Sequence, residues 1–206
     1  MTRARAKLFV IAAPSGAGKT TLVRRLTERH PELRFSISYT TREQRSTETD
    51  GVDYLFVGKD EFEALRDRDE LLEYAEVFDN FYATSRRQVE EHLAAGNPVI
   101  LEIDWQGAAQ VRRSMPECVS IFILPPSFAE LERRLRDRRT DSDEVIARRL
   151  RDARSDMAHW EEFDYVVINE VLEKAVADLD AILAGAGEAL ATSQPAVRAA
   201  VSAILD

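Results

Sequence analysis

Apolar positions recur along this chain at two spacings, and the spacing changes from stretch to stretch. Lys7 to Ala12 is almost continuously apolar, as in a strand buried on both faces, whereas Thr21-Leu22-Val23-Arg24-Arg25-Leu26 gathers its apolar side chains on one face of a helix. His30-Pro31 ends that helix, and the alternation in Phe35-Ser36-Ile37-Ser38-Tyr39 predicts a half-buried strand. A polar stretch to Asp50-Gly51 leads into a second strand-like run, Tyr54-Leu55-Phe56-Val57, after which Asp60 with Glu63 marks a helix start for the segment through Leu65. Leu71 to Phe78 reads as extended again. Strands thus dominate residues 35–83, unlike the sequence on either side, and this predicts an inserted subdomain.

From Thr84 or Ser85 a helix runs to Ala95 and closes at Gly96. Pro98-Val99-Ile100-Leu101-Glu102-Ile103-Asp104 predicts a second central strand with an acidic end, Trp105 to Arg113 a short helix, and Val119 to Leu124 a third buried strand that Pro125-Pro126 stops. Ser127 with Glu130 opens the next helix, Phe163 to Asn169 is a last strand and Val171 to Leu183 a closing helix. Strands alternating with helices in this way predict an α/β fold, a three-layer core whose mostly parallel sheet is covered on both faces. The tail from Gly185 is Ala-rich, with a weakly amphipathic stretch from Pro195 to Leu205 suited to packing on the core or on a neighbouring chain.

A chain of 206 residues accommodates one α/β core with insertions, and 45% apolar residues fit a folded rather than a disordered protein. The formal charge of −9 argues against a surface that coats nucleic acid and requires any anion site to be locally basic. The single cysteine, Cys118, excludes an internal disulfide and reads as a small buried apolar residue in a reducing compartment. Arg3, Arg5 and Lys7 ahead of Leu8 to Ala13 imitate a secretory signal, but the apolar run is shorter than the usual ~7–15 residues and cleavage there would cut the glycine-containing loop that follows. No other stretch approaches the length of a transmembrane helix, so a cytoplasmic protein without membrane or nucleic-acid partners is expected. His30, His92 and His159 lack metal-ligand spacing.

Between the first strand and first helix stands Ala13-Pro14-Ser15-Gly16-Ala17-Gly18-Lys19-Thr20, followed by Thr21. Its chemistry is that of a phosphate cradle. Two glycines let backbone N–H groups point at an oxyanion, Lys19 brings a mobile positive charge, Thr20 a hydroxyl able to ligate Mg²⁺, and the following helix turns its positive end to the same anion. Ala13 occupies the place of the first glycine in G-x-x-x-x-G-K-[ST], and Thr21 excludes the dinucleotide pattern G-x-G-x-x-G. Asp104, at the end of the second central strand, has the placement of an acid that reaches Mg²⁺ directly or through water. The most basic segment carries Arg133, Arg134, Arg136, Arg138 and Arg139, then Arg148 and Arg149. It reads either as a solvated helix face or as a lid that neutralises ATP.

Taken together, these segments resemble guanylate kinase through nearly the whole chain, to about residue 184. The resemblance rests on the phosphate loop, Ser38-Tyr39-Thr40-Thr41-Arg42 with Arg45, Gly51-Val52-Asp53-Tyr54, Leu72-Glu73-Tyr74-Ala75, Tyr82-Ala83-Thr84-Ser85, Glu102-Ile103-Asp104-Trp105-Gln106-Gly107 and Val167-Ile168-Asn169, in shared order and spacing. It implies a P-loop core of residues 1–34, 84–126 and 150–184, a strand-rich GMP-binding insertion at 35–83, a helical lid at 127–149 and a helical tail at 185–206. The implied reaction moves the γ-phosphoryl group of ATP to GMP with Mg²⁺, giving ADP and GDP, a step of purine nucleotide metabolism. On the donor side the resemblance implies Ala13 to Thr21, Arg134, Arg138, Arg149 and Asn169, the last a candidate for the adenine edge. On the acceptor side it implies Arg42, Arg45, Tyr54 and Tyr82 around the phosphate, with Glu73, Ser38 and Thr84 on guanine. Asp104 is shared between guanine and metal, and Glu102 is placed near the acceptor. Ala83, Arg139, Asp156 and Glu170 depart from the residues usual in the family, and Arg139 stands where a lid glycine is common. A guanylate-kinase-like module that binds a phosphorylated protein, and a kinase of another base, are the alternatives; dGMP and the oligomeric state stay open.

Overall fold

A computed structural model describes residues 6–77, 79–137 and 142–205. Along the chain come β1 (Leu8–Ala12), α1 (Lys19–Arg29), β2 (Arg34–Phe35), β3 (Ser38–Thr40), β4 (Leu55–Phe56), α2 (Lys59–Asp67), β5 (Leu71–Val77) and β6 (Asn80–Ser85). There follow α3 (Arg86–Ala94), β7 (Val99–Glu102), α4 (Trp105–Ser114), β8 (Val119–Leu124), α5 (Phe128–Asp137), α6 (Asp143–Met157), β9 (Tyr165–Ile168), α7 (Leu172–Leu183) and α8 (Pro195–Leu205). One sheet has the order β2-β7-β1-β8-β9, with β2–β7 and β8–β9 parallel; the other has the order β4-β3-β6-β5. The expected α/β fold with a mostly parallel sheet is therefore present. By internal contacts the chain forms two compact units, one mainly of Glu32–Leu101 and Gln106–Cys118, the other of Val10–Pro31, Glu102–Trp105 and the chain from Val119 onward.

In the first unit, β3 and β5 both pair antiparallel with β6, and β4 joins β3 in parallel. Phe62 and Leu65 of α2, Leu71 and Ala83 form a buried cluster on this sheet, with Tyr39, Val57 and Phe81 against it and the rings of Phe62 and Phe81 stacked at 5.2 Å. β5 closes one edge, and Gln110 covers it by accepting from Tyr74 N–H at 3.1 Å and donating to Tyr74 C=O at 2.6 Å. That is one way a sheet edge is kept from pairing elsewhere. Cys118 is buried, as expected of a small apolar residue.

In the second unit, every residue of β8 after Val119 is buried, and α7 sets Ala175, Val176, Leu179 and Ile182 on one inward face. The tail packs on this same unit. Thr192 N–H donates to Asp164 C=O at 2.9 Å, Arg198 lies over the Trp160 ring and pairs with Glu161, and α8 buries Val201 and Ile204.

Several local expectations change. The single strand read over Phe35–Tyr39 is two: Arg34 and Phe35 pair with Val99 and Ile100, while Ser38 to Thr40 pair in the other sheet. Alternation identifies a face but not a partner, and the chain changes ladders at buried Ser36. The helix expected from Thr84 or Ser85 starts at the second of these, with Ser85 as its cap, while Thr84 still belongs to β6. Ser85 accepts from Gln88 N–H at 3.3 Å. Asp60 is not a cap, since Gly58 holds that position and Asp60 and Glu61 lie in the first turn, where they face the positive end of the helix. Ser127 does cap its helix, accepting from Glu130 N–H at 3.1 Å. β7 ends at Glu102, two residues short of Asp104. Phe78 and residues 138–141 lie outside the described residues.

Candidate active site

The phosphate loop and the residues that touch it lie in the second unit. Buried β1 leads into a loop that turns back on itself, Ala17 N–H donating to Pro14 C=O at 3.2 Å. Gly16 and Gly18 stand at φ of 90° and 92°, where side chains are strained. A Cβ on Gly18 would also lie 2.4 Å from Asn169 Nδ2, and one on Gly16 2.9 Å from Leu131 Cδ1. Ala13, by contrast, is not among the positive-φ residues, which outside glycine are Asp69 and Asp79 among the described residues. The missing first glycine thus costs the loop no backbone freedom it uses.

Gly18 precedes α1 with no side-chain cap, so the first turn of the helix offers its N–H groups to an anion. Lys19 Nζ donates to Ile103 C=O at 2.8 Å, and Thr20 Oγ1 donates to Glu102 Oε1 at 2.5 Å. Glu102, expected near the acceptor, is therefore beside the hydroxyl assigned to Mg²⁺. Behind the loop, Asn169 Nδ2 donates to Ala17 C=O at 2.8 Å, and Arg134 Nη2 donates to Asn169 C=O at 2.9 Å. Arg134 Nε donates to Glu130 at 2.7 Å, and the guanidinium groups of Arg133 and Arg134 hold the Glu130 carboxyl down at about 2. The side-chain nitrogen of Asn169 is thus engaged in bracing the loop.

The residues expected on the acceptor side lie in the first unit, on and beside the β4-β3-β6-β5 sheet. Ser38 pairs with Thr84 and Thr84 with Glu73, so three polar side chains stand in one row across β3, β6 and β5. Directly opposed residues share a face. A register shift between Leu71 and Glu73 is what brings Glu73 opposite Thr84. Both are buried, and Thr84 Oγ1 donates to Glu73 Oε1 at 2.6 Å. Two residues along β6 on the same face comes Tyr82, whose ring meets Tyr54 edge-on at 6.0 Å. The Arg42 guanidinium lies 5.4 Å from the centre of the Tyr54 ring and 5.7 Å from that of Phe56, within cation–π range. Glu48, which the sequence reading missed, accepts from Arg42 Nη2 at 2.8 Å and Nη1 at 3.1 Å and from Arg45 N–H at 2.9 Å. Its signal in the sequence is one of several acids in this loop, placed six residues after one arginine and three after the next.

A family model described as guanylate kinase matches residues 5–186. The chain belongs to the guanylate kinase family. Guanylate kinase of Aromatoleum aromaticum is 57% identical over 176 residues, 85% of this chain and 86% of that protein. That of Dechloromonas aromatica is 55% identical over 180 residues, 87% of this chain and 89% of that protein. A crystal structure of guanylate kinase from Anaplasma phagocytophilum superposes with a TM-score of 0.74 at 35% identity, covering 97% of this chain and 95% of that one.

The remaining arginines of the basic segment, of which Arg138 and Arg149 were expected at the site of this kinase, separate by environment. Arg133 and Arg136 pair with carboxylates on and beside their own helix (Glu130 and Asp137, Glu132 and Asp143), and Arg148 lies 3.9 Å from Asp152, as on a solvated face. Arg149 is half-buried in α6, while Arg138 and Arg139 lie outside the described residues. Asp104 follows Glu102 in the second unit, close enough for its charge to act on Asp156. Burial, with Asp104 and Asp152 nearby, pushes the Asp156 carboxyl up, although Trp105 Nε1 donates to it at 3.0 Å. Among the described residues no three acidic, histidine or cysteine side chains cluster as a metal cage.

Proposed function

We propose that this chain transfers the γ-phosphoryl group of ATP to GMP, releasing ADP and GDP. The observation that carries this reading is the row Ser38, Thr84, Glu73, a buried carboxylate at the end of a row of two hydroxyls on a sheet that also bears Tyr54 and Tyr82, with Arg42 beside it. Guanine presents N1–H and a 2-amino group beside the O6 acceptor. Glu73 accepts from both nitrogens, a match adenine cannot make because it lacks both donors. Thr84 has its proton committed to Glu73, so it orients the carboxylate, and the O6 contact falls to Ser38. Arg42 and Arg45 take the acceptor phosphate, with the Tyr54 and Tyr82 hydroxyls adding donors without charge.

On the donor side, the loop from Ala13 to Thr21 holds the β- and γ-phosphates. Lys19 leaves the Ile103 carbonyl for the phosphate, and Arg134, Arg138 and Arg149 neutralise charge that spreads over the transferring group. One such arginine is worth a factor of roughly 10³ to 10⁵ in arginine-finger systems. No general base is required, because a phosphate oxygen is already anionic at neutral pH. The oxygen set of Thr20 and Glu102, with Asp104 through water, fits Mg²⁺, a hard cation that completes its shell with water and phosphate rather than with a protein cage. When bound with ATP it screens the charge of the phosphates. The reaction belongs to purine nucleotide metabolism, as GMP recycling in the cytoplasm; no helix among the described residues is long and apolar enough to cross a membrane.

The intact donor loop favours an enzyme over a phosphoprotein-binding module. The test is a coupled assay of ADP release at millimolar ATP and Mg²⁺ with GMP, AMP and UMP. GMP-dependent release is expected; none with GMP would remove the kinase reading, and equal rates with AMP or UMP would remove the roles of Glu73 and Ser38.

A further inference from the structure

We propose that Glu48 is a positioning residue for the acceptor phosphate, holding Arg42 by one edge of its guanidinium so that the other edge is presented to the ligand. The proposal rests on the reading of Arg42 and Arg45 as phosphate ligands. Glu48 takes Nη1 and Nη2 of Arg42 end-on, at 3.1 and 2.8 Å, while Nη1 also donates to Glu43 C=O at 2.7 Å. Three of the five guanidinium hydrogens are then spent. The two left, on Nε and Nη2, form the edge suited to a bidentate oxyanion, and the Tyr82 hydroxyl is also within hydrogen-bonding reach of the group.

The same carboxylate shapes the loop that carries both arginines. Its Oε2 accepts from Arg45 N–H at 2.9 Å, Glu48 N–H donates back to Arg45 C=O at 3.0 Å, and Gln44 Nε2 donates to Glu48 C=O at 2.7 Å. The Arg42 and Glu48 side chains are 16% and 13% exposed, against 72% for Arg45. The Arg42 pair is therefore shielded, unlike the ordinary surface pair that contributes little. Arg42 and the Arg45 N–H hold the Glu48 carboxyl below the usual carboxylate range. In a chain of net charge −9, with Glu43, Asp50 and Asp53 in the same loop region, an Arg42 freed from Glu48 has other acids to fold onto.

Glutamine at this position keeps the shape but turns an N–H₂ group toward the guanidinium donors, so the end-on grip is lost. Steady-state kinetics on full-length Glu48→Gln should show the KM for GMP raised about tenfold, the equivalent of about 1.4 kcal/mol. kcat and the KM for ATP should stay within threefold. Guanosine, which lacks the phosphate, should inhibit competitively against GMP with an unchanged constant. Arg42→Ala is assayed beside it. A KM for GMP that is unchanged or lower in Glu48→Gln while Arg42→Ala raises it overturns the proposal, a fall marking Glu48 as a competitor of the phosphate. Parallel weakening of guanosine would make Glu48 a general structural residue and overturns it too. If Arg42→Ala leaves GMP unaffected, the phosphate reading itself fails and takes the proposal with it. Should Glu48→Gln not yield folded protein, Glu48→Asp, shorter by one methylene, is judged by the same GMP-to-guanosine comparison.

Discussion

Lys19 and Thr20 are neighbours in the sequence, yet their side chains reach different acceptors, the Ile103 carbonyl and the Glu102 carboxylate, just past and at the end of β7. Lys19→Met removes the charge on the donor side only, so turnover should fall by at least 10³ while calorimetry finds GMP binding within about twofold. Loss of both would contradict the assignment. Glu73 is 4% exposed and bonded to Thr84, and an amide in its place can accept from one guanine nitrogen but not both. Glu73→Gln should raise the KM for GMP by roughly 10 to 100-fold with little change for ATP, given about 1.5–3 kcal/mol for a hydrogen bond to a charged group. An unchanged KM for GMP would rule that role out. At this scale the motifs were legible, because a P-loop announces its chemistry by residue type. Glu48 was not, because one acid in a polar loop has no meaning until its partners are seen.

Elements set which of these residues meet. Ser38, Glu73 and Thr84 are separated by 46 positions of chain and come together because β3, β6 and β5 lie side by side and a bulge shifts the register by one. The sequence pattern marked β3 and β5 as extended but not β6, and neither the ladder order nor the bulge is written in a period of two. The junction of α4 and α6 offers a test at the same scale. Asp156 accepts from Trp105 Nε1, His159 stacks on the Trp105 ring, and burial raises the Asp156 carboxyl above its ordinary 3.8. The folded protein therefore holds this proton more tightly than the unfolded chain does. Wild-type stability falls as pH rises through that raised range, and the penalty is complete at neutral pH. Asp156→Asn keeps the acceptor oxygen without the charge. Its melting temperature should exceed that of wild type at pH 7, and the gap should close as the pH approaches 3.8.

For the molecule as a whole, the tail is a matter of packing. α8 buries Val201 and Ile204, and Arg198 covers Trp160. Each buried aliphatic side chain is worth about 1.5–3 kcal/mol. A chain stopped after Gln194 should melt about 10 °C lower or more, yet keep GMP-dependent turnover at low temperature, since no residue of the tail is assigned to chemistry. A truncated chain that melts as wild type would show that α8 contributes no packing.

What the sequence determined by itself was the fold class and the phosphate-loop motif, because both follow from short-range pattern, strand, glycine turn and helix in succession; the acceptor-side residues were implied by the family resemblance and its motifs. Only the tertiary structure decided that Glu102 meets Thr20, that Asn169 and Arg134 brace the Ala17 carbonyl, and that Glu48 grips Arg42. The first two are contacts between residues 82 and 117 to 152 positions apart, for which the sequence carries no period. The third lies within seven residues, where a flexible polar loop allows many pairings until backbone hydrogen bonds select one.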